Sequence, residues 1–198
     1  MRELCKNSRD LASTDATPIS PTMTAILKLF FDIARLRRGP EDAPSGLQPL
    51  LVTVAVFFAA NALLTALFRP DINYWALQLL VSIVFTLLWY RVLLGVFGKP
   101  ERFNQTVTAM FGFGLLLAPM LVPLSSWLAP LAATPEKAGP VAWVFLPLVF
   151  YVVYVTARIL RAAIERSMGE CVMLVLVQTF AEPLLLYAIF GAGEVAKN

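Results

Sequence analysis

The chain has 198 residues, of which 59% are hydrophobic and 15% charged, with a formal net charge of +3 and a mean hydropathy of +0.73. A soluble domain is nearer about half apolar and about a quarter charged, so the excess points to lipid as the surrounding solvent, and nothing in the charge suggests a nucleic-acid partner. Histidine is absent altogether, which removes the usual zinc sites, His-assisted serine or cysteine chemistry and histidine phosphoenzymes.

Met1–Pro21, MRELCKNSRDLASTDATPISP, is polar and lacks the apolar run of a cleaved signal peptide, so it is expected as a disordered polar extension. Met23 is an alternative start, which would make the residues before it an upstream addition. Thr22–Arg38 reads as an amphipathic helix, with Lys28, Asp32 and Arg35 on one stripe and Ile26, Leu29, Phe30, Ile33 and Leu36 opposite. Too short and too charged to span cheaply, it is expected to lie in the headgroup plane, the alternative being packing on the protein's own loops. Gly39–Gly46, GPEDAPSG, stops it.

Five apolar stretches follow, each near the ~20 residues that a bilayer crossing needs. They run over 47–68, 72–97, 106–129, 141–157 and 171–190. Arg69-Pro70-Asp71 turns the chain after the first, Gly98–Gln105 forms a charged elbow before the third, and a Pro- and Ala-rich loop, Pro130–Pro140, follows it. A basic helical stretch, Arg158–Arg166, leads to the last span, and 191–198 is a short tail. The expected fold is all-α: a polytopic membrane protein with five transmembrane helices over 47–190 and the N-terminal interfacial helix. No internal repeat is visible, so an inverted-repeat transporter is not signalled.

Orientation follows from the basic residues. With the N-terminus inside, only Arg69, Lys137 and Lys197 of the 16 Lys and Arg residues fall outside, a strong positive-inside bias. Tyr74, Trp75, Trp127 and Trp143 then mark the outer boundary as an aromatic belt. The expectation is a multi-pass protein of the inner (plasma) membrane, N-terminus cytoplasmic and C-terminus periplasmic. Cys5 and Cys171 fall on the cytoplasmic side, where thiols stay reduced and free.

Glu182 is the sharpest chemical candidate. It lies ~16 Å into the fifth span at about 1.5 Å per residue, where a charged carboxylate costs at least about 2.5 kcal/mol unless it faces protein or water. Gln178 sits one turn back on the same face, and Thr86, Tyr151 and Tyr154 lie at similar depth on other spans. The arrangement reads as a proton- or cation-binding site, or as a neutral, hydrogen-bonded acid that fixes helix packing. Asn61 and Gln78 fall at one depth and are expected to bond to each other as interhelical glue, the alternative being that they join Glu182 and Gln178 in an intramembrane polar substrate site. Arg91 is expected to snorkel to the headgroups beside Trp89 and Tyr90, the alternative being a salt bridge to Glu182.

The third span carries Gly112, Gly114, Pro119 and Pro123. Its glycines permit close contact, Gly114 and Ala118 forming a small-xxx-small pair, while each proline frees a carbonyl. The helix break at Pro119 and Pro123 reads either as a kinked packing helix or as a discontinuous helix lining a cavity, since freed backbone needs protein or water around it. Ala55/Ala59 and Ala62/Ala66 give the first span its own close-packing face.

No HExxH, GxSxG, P-loop or paired intramembrane aspartates occur. No catalytic residue, metal ligand or cofactor is assigned; a lipid-active enzyme using unusual carboxylates is a third reading only.

Gly98, Lys99, Arg102, Phe103, Gln105, Thr106, Thr108 and Ala109 of the elbow resemble the loop and third span of the bacterial branch of the Yip (Ypt-interacting protein) domain family. Leu29–Gly46 and Ile159–Gly169 look similar to it too. The resemblance implies a five-span membrane protein without known catalysis. GTPase binding, which eukaryotic relatives perform through a long cytosolic N-terminal region, does not carry over to the short polar segment here. Two functions are therefore weighed. The first is a non-catalytic scaffold, assembly or trafficking-like factor acting through helix contacts and its cytoplasmic basic face. The second is a small transporter or proton-coupled permease using Glu182 and the broken third helix. Expected partners are membrane lipids, with other membrane proteins or a second copy of the chain, and no nucleic acid.

Overall fold

A computed structural model describes residues 31, 46–68, 74–132 and 135–191. The polar extension, all but Phe31 of the amphipathic helix, the Arg69-Pro70-Asp71 turn and the tail beyond Gly191 lie outside the described residues. Among those described, the chain is all-α. Five helices are long and apolar enough to cross a membrane.

The helices are α1 (Leu47–Phe68), α2 (Trp75–Val96), α3 (Phe103–Ala132), α4 (Pro135–Ile164) and α5 (Met168–Leu186). A 3₁₀ turn, Pro100–Arg102, joins α2 to α3, and a π-helical turn, Tyr187–Gly191, continues α5. The α1 boundaries are those expected from hydropathy. Elsewhere the ends move, for local chemical reasons. The loop expected over Pro130–Pro140 is mostly helical: α3 continues to Ala132 and α4 starts at Pro135, because proline at the first helical position gives up no hydrogen bond. The apolar span of α4 is accordingly Leu146–Ile164, later than the expected 141–157. The basic stretch after it is not a separate segment. Arg158 and Arg161 are exposed while Ile159, Leu160, Ala163 and Ile164 are buried, so α4 ends as an amphipathic turn.

The last span starts at Met168 because Ser167 and Glu170 form a capping box. Ser167 Oγ accepts from the Glu170 amide at 3.3 Å, and Glu170 Oε2 accepts from the Ser167 amide at 3.2 Å, satisfying two donors that a helix start leaves unpaired. Pro183 sits inside the helix without ending it. Nor do Pro119 and Pro123 break α3, which runs unbroken through both; of the two readings of this span, the discontinuous helix is not the one formed. A proline removes one amide donor from a ladder of many, and the remaining bonds carry the helix through.

α3 is the hub. It packs chiefly on α1 and α4, more lightly on α2, while α5 packs on α4 and α2. Its spanning window is 44% buried, against 11% for α1. α1 meets it through Phe57, whose ring stands edge-on to Phe111 with centroids 5.0 Å apart. Gly114 makes this approach possible: a Cβ there would sit 3.0 Å from Phe57 Cε2. The expected close-packing face of α1 is not the one used, since Ala55, Ala59 and Ala66 are exposed. Leu50, Thr53 and Phe57 face inward instead, because larger side chains bury more surface per contact. Gly114→Val should therefore destabilise by roughly 1–3 kcal/mol through overpacking. Thermal unfolding in detergent measures it, and an unchanged midpoint would show that the Phe57 ring has room to move.

The core is not spread evenly along the helices. Tyr90, Leu93 and Leu94 of α2, Val107–Phe111 of α3, Val155–Ile164 of α4 and Cys171 of α5 supply most of its buried side chains. All lie toward the elbow end. Beyond mid-height the buried apolar residues thin to Ile83, Ala118 and Leu128 among the described residues. Among the described residues, buried side chains are thus concentrated at the elbow end.

Candidate functional site

Two polar constellations stand out, one at the elbow and one at mid-height. The elbow begins where α2 ends. Gly98 is left-handed at φ +69, its amide bonds to the Gly95 carbonyl at 3.1 Å, and the Lys99 amide reaches the Leu94 carbonyl at 2.8 Å. This pair of bonds is a Schellman stop, in which glycine supplies the left-handed residue without a Cβ penalty. The turn directs Lys99 and Arg102 across to the end of α4. Lys99 Nζ lies 3.0 Å from Glu165 Oε2, and Arg102 Nη2 lies 2.6 Å from Oε1. Arg102 Nη1 also donates to the carbonyls of Ala162 at 2.9 Å and Ala163 at 3.3 Å. A cation there meets the negative end of the α4 dipole. Thr106 Oγ1 donates back to the Arg102 carbonyl at 2.8 Å, which fixes the start of α3. Phe103 carries the Arg91 guanidinium 5.6 Å above its ring, and Gln105 is half-buried.

The residues expected at the elbow therefore assemble, but around a partner that sequence reading passed over. Glu165 is left-handed too, at φ 56, a conformation unusual for a residue with a side chain. Hydrogen bonds from Lys99, then Arg102, hold its carboxyl below the ordinary value of 4.5. A depressed carboxylate contributes stability that is whole above the ordinary value and disappears as pH falls through the lowered one. The gap in unfolding midpoint between the wild type and Glu165→Gln should thus be constant from neutrality down to about 4.5 and close below it. A gap that persists at roughly pH 2–3 would contradict this origin for the clasp.

The second constellation sits on α2, α3, α4 and α5. Ser82 Oγ donates to Glu182 Oε1. Glu182 lies about 21 Å along α5 from Met168, and Ser82 about 21 Å along α2 from Val96, at about 1.5 Å per residue, so matched depth brings them together. Glu182 and Gln178 line two adjoining cavities of about 390 and 450 Å³. Leu121, Val152 and Thr156 are shared by both. The first is walled by Phe57, Tyr90, Phe111 and Phe113 and also reaches Thr86. Tyr90 directs its hydroxyl to Met110 Sδ at 3.7 Å, while Gln178 Oε1 is buried without a hydrogen-bond partner.

Of the four intramembrane candidates, Glu182 and Gln178 come together and Asn61 and Gln78 do not join them. Asn61 Nδ2 donates to the Phe57 carbonyl of its own helix at 2.9 Å, so the expected Asn61–Gln78 bond is not formed. A short amide side chain finds a backbone acceptor one turn away before one on a neighbouring helix. Arg91 is directed to Phe103, not to Glu182. Of the suggested partners Thr86 reaches the cavity, whereas Tyr154 is exposed and Tyr151 stands edge-on to Phe113 at 6.2 Å. Ser82 and Thr156 were the polar residues not singled out. Among the described residues, no group of three or more His, Cys, Asp or Glu side chains could hold a metal ion.

Comparison with protein-family models, curated proteins and solved structures gave no match to this chain.

Proposed function

We propose that this chain is a non-catalytic inner-membrane protein that holds a small solute or proton at the Glu182 cavity, in the manner of a small permease. One observation carries the reading: a carboxylate at mid-depth has, among the described residues, one side-chain partner, the Ser82 hydroxyl, and faces two cavities large enough for a small ligand. Ionisable groups at that depth are costly and mark pathways more readily than packing alone explains. The arrangement of basic residues supports an N-terminus in the cytoplasm. The likeness of the elbow to the Yip family belongs to the same proposal, since its residues make the turn that closes the bundle.

The test is flux. Purified protein in liposomes under an imposed proton gradient should acidify or accumulate solute, and protein-free liposomes should not. Absence of flux for protons and for every solute tried would overturn the reading. The scaffold reading is placed second. Two residues of the basic face it would use, Lys99 and Arg102, are engaged by the exposed carboxylate of Glu165. Among the described residues, the exposed Arg158 and Arg161 offer a partner basic side chains instead. Co-purification of one protein, lost on replacing those two arginines, would favour it.

A further inference from the structure

The geometry points to a small organic monocation, a free ammonium carried on an apolar body, as the ligand class of the Glu182 cavity. This rests on the reading of that cavity as a solute site. Charge comes first. Glu182 is the acid lining the cavities, and no Lys or Arg lines either among the described residues. An ionised carboxylate offers about four acceptor positions, of which Ser82 occupies one. Gln178 Oε1, buried and without a donor, adds a second acceptor on the same helix face. The hydroxyls of Thr86 and Thr156 also line the cavity, but neither supplies positive charge; a ligand that brings both a donor for the orphaned Gln178 oxygen and a charge for Glu182 answers the lining best.

The walls narrow the class. Phe57, Phe111 and Phe113 line one cavity with Glu182. Aromatic faces attract cations, most strongly where water is excluded. They offer nothing to a hard metal ion, which needs six or more oxygen ligands. A volume of about 390 Å³ exceeds that of a bare ion and suits an ammonium with a short apolar body. The ammonium of a lipid headgroup stays at the interface, whereas Glu182 lies about 21 Å from one end of its span, Met168–Gly191, and roughly 13 Å from the other, so the cation is a free amine.

Equilibrium binding of radiolabelled phenethylammonium to the purified protein, in nanodiscs of phosphatidylglycerol at neutral pH, tests this. The neutral 2-phenylethanol and the anionic phenylacetate are the comparisons. The ammonium should bind at least about tenfold tighter than the alcohol, a difference of ~1.4 kcal/mol, and Glu182→Gln should erase that preference. Gln178→Leu should weaken the ammonium several-fold and leave the alcohol nearly unchanged; this variant carries the test if Glu182→Gln is not recovered folded. Alcohol binding equal to ammonium, or tighter phenylacetate, overturns the cation assignment and leaves the solute site standing. Binding of none of the three overturns the assignment as well. If proton flux through the wild type persists in that case, the permease reading survives; if it is also absent, both fall.

Discussion

Replacing Glu182 by glutamine should reduce flux through the reconstituted protein at least tenfold while leaving it folded. Glutamine is nearly isosteric, and its carbonyl can still accept from the Ser82 hydroxyl that donates to Glu182 Oε1. What the substitution removes is the charge and the exchangeable proton. If Glu182 only holds α5 against α2, a neutral amide should serve as well or better, because it avoids the cost of a carboxylate at mid-depth. If it carries a proton or pairs with a cation, the amide cannot substitute at any pH. The two outcomes separate cleanly in one preparation. Thermal unfolding reports whether the helices still pack, and flux reports whether the site works. Equal flux in both proteins would return Glu182 to a packing role and favour the scaffold reading.

Much of the fold was legible because the bilayer imposes a length on apolar segments. Both ends of α1 follow from hydropathy, and all five spans are where the apolar runs lie. The misplaced ends belong to short-range chemistry. Ser167 and Glu170 spell a capping box in the sequence, but lie in a charged stretch easily read as continuous basic helix. The prolines of α3 mislead in the opposite sense. They argue for a break, yet the helix runs through both on the bonds that remain.

The candidate site was half legible, for a related reason. Glu182 and Gln178 are one turn apart on a single helix, so their shared face needs only the helical period. Ser82 and Glu165 are joined to their partners across the bundle, at separations of 100 and 66 residues. Such contacts depend on helix rotation and crossing, which no local pattern encodes. Serine is also common in spans, and an exposed glutamate in a charged loop is ordinarily solvated. Asn61 shows the converse case: its backbone acceptor, Phe57, was four residues away throughout.

Arg102→Ala should be the most destabilising change at the elbow, by roughly 1–3 kcal/mol, and more than Lys99→Ala, which breaks only a solvent-screened pair. The difference lies in what each side chain holds. Lys99 makes one contact, to Glu165, at 3.0 Å. Arg102 grips Glu165 and donates to two carbonyls at the end of α4, those of Ala162 and Ala163. Removing it leaves those carbonyls and the helix dipole without their cation. Arg102→Lys should restore less than half of the loss, because an ammonium keeps the charge but not the planar fork that reaches carboxylate and carbonyls together. Thermal unfolding of the three variants in one detergent gives the comparison. Equal effects of Lys99→Ala and Arg102→Ala would mean that the carboxylate, not the α4 terminus, is what the elbow secures. The expected order follows from where the core lies. Ile159, Leu160, Ala163 and Ile164 of α4 are buried beside that terminus, so fraying it opens the part of the described core where buried side chains are most concentrated.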